Sequence, residues 1–535
     1  MPLTTEQLTL PALRAAYAAA ALTPMEVVRQ LLPAIQASRS VFISRPTEEQ
    51  LLERCRFLEG LPADQRGPLW GIPFAVKDNI DVAGLPTTAT CPAFEYTPAE
   101  HARAVAPLLE AGGICLGKTN MDQFACGLVG TRTPYGIPRN AFDDRFTPGG
   151  SSCGSAIAVA DGLCTFALGT DTAGSGRVPA GNNGIVGIKP SVGRFSTTGV
   201  VPACYLLDCV SVFVLSVRDG AEVARIMENG DIADPTYRLP NPTALAKRWQ
   251  PGGAFRFAVP GPAFLDDSFE GPGGEAVRAA MEAAWQEAVA RLEALGGVRV
   301  PDLDFAPFAA TAVLLYGAAF VAERYAGIKA FLEAPEAGGV AAGPAALAPL
   351  HGDDRMLKVI RSIISKTANF SSADVFAGLQ QLSVLRGKCR AELAKVDLIV
   401  VPTSAYNYTV KEIQAEEDEP PYEQVTFGKN ANLGRWTNFV NLQDMCGVSV
   451  YSGLLRPCGP LEGDAPEQRR RAEHLAATGN TSPVMPFGVT LLAPSWTDEY
   501  VADIAAAFEK ATGLKAGPLG HGVAPYRSPQ APATA

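Results

Sequence analysis

The sequence has little histidine and no paired cysteines. Among its 535 residues are four histidines and eleven cysteines, and no cysteine forms a CxxC pair or a cluster with histidine. Zinc sites and disulfide frameworks depend on such spacing, so we expect neither a metal site nor a disulfide. Scattered single cysteines are typical of reduced thiols, which indicates a cytoplasmic protein.

Long apolar runs and an excess of positive charge are missing as well. The N-terminus has no basic region before an apolar one, and the apolar segment 155–168 is interrupted by Asp161 and Gly162, so we expect no signal peptide and no membrane span. Lys and Arg number 45 against 55 Asp and Glu, and the resulting net charge of −10 would repel nucleic-acid phosphates. We therefore predict a soluble protein that binds neither membranes nor nucleic acids.

What the chain does contain is enough apolar sequence, 47%, to bury a large core. Segments with helical periodicity alternate with short β-type runs from residue 69 onward, which predicts an α/β fold. Thr23 followed by Pro24 fits the start of a helix. Helices are predicted over 8–21, 24–38, 99–111 and 275–295, and buried strands over 72–76, 114–116, 298–300, 398–401 and 487–492.

The composition also changes along the chain. A helical segment over 1–60 is expected to pack on one large domain over 61–515, and the tail 516–535 has too little to bury and is expected to be disordered. Within the domain, 334–348 is rich in Ala, Gly and Pro, and 456–481 is rich in Pro, Gly and charge. We predict both to be surface insertions.

Residues 112–119, GGICLGKT, match the pattern of a phosphate-binding P-loop. A P-loop runs from strand to loop to helix, whereas here a predicted helix comes first and the apolar residues 114–116 suit a buried strand. We therefore reject the nucleotide-binding interpretation.

Residues 150–154, GSSCG, match the nucleophile elbow of α/β-hydrolases, which would make Ser152 the nucleophile. That chemistry needs a histidine base. The four histidines lie on a predicted helix face, in or beside the predicted insertions, or in the tail, so we expect solvated side chains and no Ser-His-Asp triad: His101, His351, His474 and His521.

The small residues are concentrated between residues 147 and 190, where glycines bracket Ser151 and Ser175. Structured turns explain this clustering better than flexible linkers do. Upstream, the segment 71–79, GIPFAVKDN, places Lys77 at the end of an apolar strand. An ionised lysine would be costly to bury there.

GIPFAVKDN, GGSS at 149–152 and GTDTAGSGR at 169–177 together resemble the amidase signature family, and the resemblance extends over residues 60–515. It implies a mixed central sheet flanked by helices and a Ser-cisSer-Lys triad without a cofactor. Ser175 would be the nucleophile, Ser151 the bridging serine in a cis peptide bond, and Lys77 the base.

Chemistry agrees with these implied roles. A serine hydroxyl needs a base to become nucleophilic, and neutral lysine can serve if burial lowers its pKa from about 10.4. The resemblance also implies an oxyanion hole built from the backbone amides of Thr172, Ala173 and Gly174. Asp171 and Arg177, which flank this turn, are expected to be structural hydrogen-bonding partners.

Four further stretches resemble the allophanate hydrolases within the family: 127–136, 199–213, 314–325 and 436–444. The resemblance implies allophanate, a urea bearing a carboxylate, as the substrate. It also implies a separate biotin-dependent urea carboxylase as functional partner, and a homodimer. By the same resemblance Arg324 would bind the carboxylate and Tyr316 would assist, both from similar faces of one helix, since eight residues separate them.

Alternatives remain open at this point. Arg324 could pair with Glu323 while Tyr316 is simply a core residue. The chain could be the A-type component of a glutamyl-tRNA amidotransferase, another amidase of the family, or a catalytically silent assembly protein. Cys153 also departs from the family turn, which usually has serine or glycine there, and we expect it to affect packing rather than to act as a nucleophile.

Overall fold

The computed structural model describes residues 3–38, 40–228, 230, 232–261, 274–333, 354–418, 428–455 and 485–518. In these residues the chain forms one eleven-stranded mixed sheet with helices packed against it. The strands are β1 (Phe42–Ser44), β2 (Pro73–Lys77), β3 (Ile114–Thr119), β4 (Phe166–Asp171), β5 (Val186–Lys189), β6 (Cys209–Val214), β7 (Phe255–Ala258), β8 (Gly297–Arg299), β9 (Leu398–Pro402), β10 (Met445–Leu455) and β11 (Met485–Pro494). Their spatial order is β1-β3-β2-β4-β6-β5-β10-β11-β9-β7-β8.

Helices lie between most of these strands along the chain, as the α/β prediction requires. They are α1 (Leu10–Ala18), α2 (Pro24–Ala37), α3 (Glu48–Glu59), α4 (Ala106–Glu110), α5 (Cys153–Ala160), α6 (Val178–Asn182), α7 (Val217–Met227), α8 (Pro242–Leu245), α9 (Gly274–Ala294), α10 (Ala306–Gly317), α11 (Val321–Gly327), α12 (Lys329–Leu332), α13 (Lys358–Ser365), α14 (Ser372–Leu393), α15 (Val410–Asp418), α16 (Gly428–Leu433), α17 (Asn438–Leu442) and α18 (Asp498–Thr512). The prediction of a mixed sheet flanked by helices is confirmed.

Strands β2 and β4 have predicted site residues at or just after their ends. They are parallel neighbours in which every residue is buried, as expected for apolar strands covered on both faces. Parallel strands end at the same edge of a sheet, so Lys77, at the end of β2, and Asp171, at the end of β4, stand at one edge. The turn after β4 carries Ser175.

The N-terminal segment differs in one respect from its prediction. Its helices are present, and Thr23 caps α2 by accepting a hydrogen bond from the Glu26 amide at 3.2 Å. However, the segment also contributes β1, which pairs antiparallel with β3 and forms one edge of the sheet. A three-residue strand is too short to produce a clear alternating pattern, so the sequence offered little signal for it.

The predicted helix over 99–111 is much shorter in the structure, where only Ala106–Glu110 is helical. Pro107 fits at the start of this helix because the amides of a helix's first turn have no acceptor within the helix. Residues 99–102 are irregular and residues 103–105 form a turn. His101 precedes the helix, where it accepts a hydrogen bond from the Ala83 amide at 3.0 Å. The placement of His101 on a helix face was therefore wrong.

The segment that matches the P-loop pattern forms strand β3 from residue 114 onward. Residues 114–119 are all buried strand, and the Lys118 ammonium lies 3.6 Å from the Asp78 carboxylate. This lysine is thus held inside the protein and does not extend toward a phosphate. The rejection of the nucleotide-binding interpretation agrees with this arrangement.

Several predictions fall on residues outside the described ranges. These are both insertions, 334–348 and 456–481, most of the tail, and His351, His474 and His521. Within the described ranges no single helix is long and apolar enough to cross a membrane, and α10 with α11 meets the length and composition criteria only as a pair bent by 44°.

Candidate active site

Three side chains from three segments form a hydrogen-bonded chain at the edge where β2 and β4 end. The Lys77 amino nitrogen lies 2.8 Å from Ser151 Oγ, and Ser151 Oγ lies 2.9 Å from Ser175 Oγ. All three side chains are buried. The structure therefore brings together the three residues for which the sequence predicted a triad.

Lys77 is surrounded by protein on every side. Burial lowers the pKa of its amino group to about 7, so a large fraction is neutral near neutral pH. Its second hydrogen-bond partner is Thr170 Oγ1, at 2.7 Å, and Asn79 Nδ2 donates to the same hydroxyl at 3.3 Å. A neutral lysine that donates to Thr170 can direct its lone pair at Ser151.

Asp122 organises the turn that carries Ser151. The peptide bond between Gly150 and Ser151 is cis, and the Asp122 amide donates to the Ser151 carbonyl at 3.0 Å. The Asp122 carboxylate accepts hydrogen bonds from the amides of Gly130 (3.0 Å) and Arg132 (2.9 Å). Asp122 was not predicted as a site residue, because its role depends on how the chain folds back to place the amides of Gly130 and Arg132 against its carboxylate.

Asp171 and Arg177 hold the turn that carries Ser175. The Arg177 guanidinium donates to both carboxylate oxygens of Asp171 at 2.9 Å, and both side chains are fully buried. Burial disfavours the ionised carboxylate, but Arg177 outweighs burial and lowers the pKa of Asp171. The amides of Gly174 (3.2 Å) and Gly176 (3.0 Å) also donate to this carboxylate. These contacts agree with the predicted structural role of the pair.

A second carboxylate, Asp208, contacts the same turn and was missed by the sequence analysis. Thr172 Oγ1 donates a hydrogen bond to the Asp208 carboxylate, and the amides of Ala203 and Cys204 also donate to it. Burial raises the pKa of Asp208. The residue-type pattern alone gave no signal for this partner, which lies 36 residues from Thr172 in the chain.

Tyr316 and Arg324 are in contact, although on two helices. The prediction of one helix was wrong, because α10 ends at Gly317 and Ala318 adopts an extended conformation before α11 begins. Arg324 still donates to the Tyr316 hydroxyl at 2.7 Å, and its guanidinium carbon lies 4.8 Å from the Tyr316 ring centre.

Arg324 is a buried cation, with 2% of its surface exposed. It donates to the Cys126 sulfur at 3.3 Å, and among the described residues its Nε has no hydrogen-bond partner. Glu323, the alternative ion-pair partner, instead accepts a hydrogen bond from the Leu206 amide at 2.8 Å. In the described part of the chain Arg324 forms no ion pair within 4.0 Å.

Asp208 connects this cation to the serine chain. Its charge acts on the amino group of Lys77 and on the guanidinium of Arg324, so all three groups share one electrostatic environment. Through Thr172 the same carboxylate touches the turn that carries Ser175. The site thus combines a serine chain, a turn of backbone amides and a buried cation.

Cys153 begins helix α5, next to this site. Its thiol donates to the Asn120 carbonyl at 3.5 Å and is fully buried, and burial raises its pKa. A buried thiol with a raised pKa is a poor nucleophile.

Comparison with known proteins gives the same family as the motifs. Residues 26–501 match the family model described as Amidase. The chain is 36% identical over 493 residues to the urea amidolyase of Lachancea kluyveri, and the match covers 91% of this chain and 24% of that protein. It is 30% identical over 498 residues to the A-type component of the glutamyl-tRNA(Gln) amidotransferase of Symbiobacterium thermophilum, and this match covers 91% of each chain.

A solved structure is similar over almost the whole chain. The allophanate hydrolase of Kluyveromyces lactis superposes with a TM-score of 0.76 at 32% identity, covering 95% of this chain and 73% of that one. This chain spans about a quarter of the length of the urea amidolyases that it matches.

The end of β2, the turn before α5 and the turn after β4 thus bring a lysine and two serines together at one edge of a mixed sheet. The chain belongs to the amidase family. The family and the similarity to allophanate hydrolases, both predicted from the motifs, are confirmed.

Proposed function

We propose that this protein hydrolyses allophanate, with Ser175 as the nucleophile, Ser151 as the proton relay and Lys77 as the base. The observation that carries the choice of substrate is Arg324, a buried guanidinium that has no carboxylate partner in the described residues and an Nε without a partner there. Burying a cation without a direct ion pair is unfavourable, so a substrate carboxylate bound to Arg324 would supply the missing countercharge. Allophanate supplies this carboxylate together with a terminal amide.

In the acylation step neutral Lys77 accepts the proton of Ser151, which takes the proton of Ser175. Ser175 Oγ then forms a bond to the amide carbon of allophanate, and the carbonyl electron pair moves onto oxygen. When the tetrahedral intermediate collapses, the carbon–nitrogen bond breaks and ammonia leaves with the proton returned from Lys77 through Ser151. The acyl group that remains on Ser175 still carries the carboxylate, which Arg324 holds.

Backbone amides of the turn before Ser175 would stabilise the oxyanion. Oxyanion donors of this kind are each worth about 2.7–4 kcal/mol. The amide of Gly174 already donates to the Asp171 carboxylate at 3.2 Å. Its hydrogen would therefore be shared between this carboxylate and the oxyanion. We therefore assign the main donation to the amides of Thr172 and Ala173, with Gly174 as a shared third donor.

Deacylation follows the same path in reverse order. Water gives a proton to Lys77 through Ser151 and attacks the acyl carbon. The bond between this carbon and Ser175 Oγ then breaks, Ser175 Oγ takes the proton back from Lys77 through Ser151, and a dicarboxylated amine is released. This product loses two molecules of carbon dioxide and leaves a second ammonia. No cofactor is needed in either step.

A matched pair of substrates tests the proposal. Biuret has the skeleton of allophanate with a neutral amide in place of the carboxylate. Arg324→Gln should lower kcat/KM for allophanate by about 10- to 150-fold, since hydrogen bonds to charged groups contribute about 1.5–3 kcal/mol. Turnover of biuret or another neutral amide should change much less. Equal losses on both substrates would remove Arg324 from the carboxylate role.

The proposal also includes assembly and location. We expect a cytoplasmic homodimer, and a separate biotin-dependent urea carboxylase that supplies allophanate. The similarity to urea amidolyase supports the functional link to urea degradation. Light scattering of the purified protein measures the oligomeric state, and coupling to a purified carboxylase measures the supply of substrate.

A second candidate is the A-type component of a glutamyl-tRNA amidotransferase. It is favoured by the even coverage of 91% of both chains in that comparison. Such a protein would release ammonia from glutamine rather than from allophanate. Against it stands the lower identity, 30% compared with 36% for the urea amidolyase.

A further inference from the structure

The turn that would bind the oxyanion is held from a distant part of the chain. Helix α17 lies more than 260 residues after the turn, and two side chains at this helix reach the turn's backbone carbonyls. Asn441 Nδ2 donates to the Asp171 carbonyl at 2.8 Å, and Thr437 Oγ1 donates to the Ala173 carbonyl at 2.6 Å.

The direction of a carbonyl fixes the direction of the next amide. A trans peptide unit is planar, with its C=O and its N–H on opposite sides. The carbonyl of Asp171 and the amide of Thr172 belong to one such unit, so a donor that holds the carbonyl also orients the amide.

Asn441 holds this carbonyl on the side of strand β6. The same Nδ2 group donates to the Leu207 carbonyl at 2.9 Å, and Leu207 lies just before β6. The Thr172 amide must then point away from β6, toward the other neighbour of β4, which is β2 with Lys77 at its end. This is the side on which the serine chain lies.

We propose that Asn441 is a positioning residue of the oxyanion hole: by holding the Asp171 carbonyl it aims the Thr172 amide at the reacting carbonyl oxygen. Thr437 plays the same part for the carbonyl of Ala173 and keeps the turn closely packed. A Cβ on Gly174 would lie 2.4 Å from Thr437 Oγ1, which leaves room only for glycine. The inference rests on the proposed amide hydrolysis at Ser175.

Asn441→Asp is the variant that tests the positioning role most directly. The side-chain oxygen of Asn441 lies 3.4 Å from the Arg177 guanidinium, so a carboxylate there keeps a favourable neighbour while both donated hydrogen bonds are lost. The matched control is Asn438→Asp, which makes the same change about one turn earlier on α17, at a side chain that forms neither of these bonds to the turn. Thr437→Val is a second variant that removes one hydroxyl with little change of shape.

The measurement is kcat and KM for the best amide substrate, with thermal unfolding of each variant. Asn441→Asp should lower kcat by about 100- to 1,000-fold with KM changed less than about threefold, because an oxyanion interaction is made only in the transition state. Thr437→Val should lower kcat in the same way but less, and Asn438→Asp should lower it less than about threefold.

The pH profile separates positioning from general damage. The acid limb of kcat/KM should keep its midpoint in Thr437→Val, because this variant adds no charge and leaves the burial of Lys77 unchanged. A shifted midpoint in Thr437→Val, a KM that rises as much as kcat falls, or full activity of a folded Asn441→Asp together with full activity of Thr437→Val would overturn the inference. These results leave the proposed function intact, whereas a wild-type protein without activity on any amide would overturn both.

Discussion

The amino group of Lys77 lies 2.8 Å from the hydroxyl oxygen of Ser151, and both side chains are completely buried. In this position the lysine has lost its hydration without gaining a direct ion pair among the described residues. The pKa of about 7 follows from this burial and makes the lysine available as a base near neutral pH.

The first prediction concerns the pH dependence of activity. Only neutral Lys77 can accept a proton, so kcat/KM for a neutral amide should rise about tenfold per pH unit below about 7 and become constant above it. A neutral substrate is the proper probe, since it does not titrate in this range. A profile that is flat from pH 5 to 9 would remove Lys77 from the role of base.

Stability should depend on pH through the same residue. The pKa of Lys77 is about 7 in the folded protein and 10.5 in an unperturbed lysine, so between these values the unfolded chain binds one more proton. Stability therefore rises with pH in this window, by up to about 1.4 kcal/mol per unit. Urea unfolding should show a steeper rise of stability with pH in the wild type than in Lys77→Met, because the other titrating groups are common to both proteins. Identical slopes would contradict it.

The Asp171–Arg177 pair should be far more important to stability than an exposed pair. Arg177→Ala leaves a buried carboxylate without its partner, which costs about 3–5 kcal/mol. Arg56→Ala is a suitable control, because Arg56 pairs with Glu49 at the surface and should cost less than about 1 kcal/mol. Urea denaturation of both variants measures the difference. Similar costs would mean that the buried pair does not hold the turn.

Cys153 should be dispensable for the chemistry. Its thiol is buried and donates to the Asn120 carbonyl, a contact that a serine hydroxyl can reproduce. Cys153→Ser should therefore keep kcat within about threefold of the wild type. Ser151→Ala, two residues away in the same turn, is the control and should lose nearly all activity. A large loss in Cys153→Ser would show that the thiol takes part.

The sequence could predict the triad because its members stand in dense local motifs. Lys77 ends an apolar strand, and Ser151 and Ser175 lie among glycines that only a tight turn explains. The α/β core was predictable for a similar reason, since strands such as β2 and β9 are short apolar runs between turn residues. Local signals were enough in these cases.

The supporting residues could not be predicted in this way. Asp122, Asp208 and Asn441 are single polar residues outside the motifs that carry the triad, and each gains its role from contacts that form only in the folded chain. The break between Tyr316 and Arg324 was also missed, because Gly317 is a weak signal against an otherwise continuous helical pattern. Tertiary contacts decide these features.

The central claim is that Ser175 attacks the amide of allophanate, and ammonia release by the purified protein tests it most directly. Allophanate, glutamine and propionamide are compared at equal concentration, with Ser175→Ala as the control. We expect ammonia from allophanate at a kcat/KM far above that for the other two substrates, and none with Ser175→Ala above the spontaneous rate. Release from glutamine but not from allophanate, or undiminished release by Ser175→Ala, would contradict it.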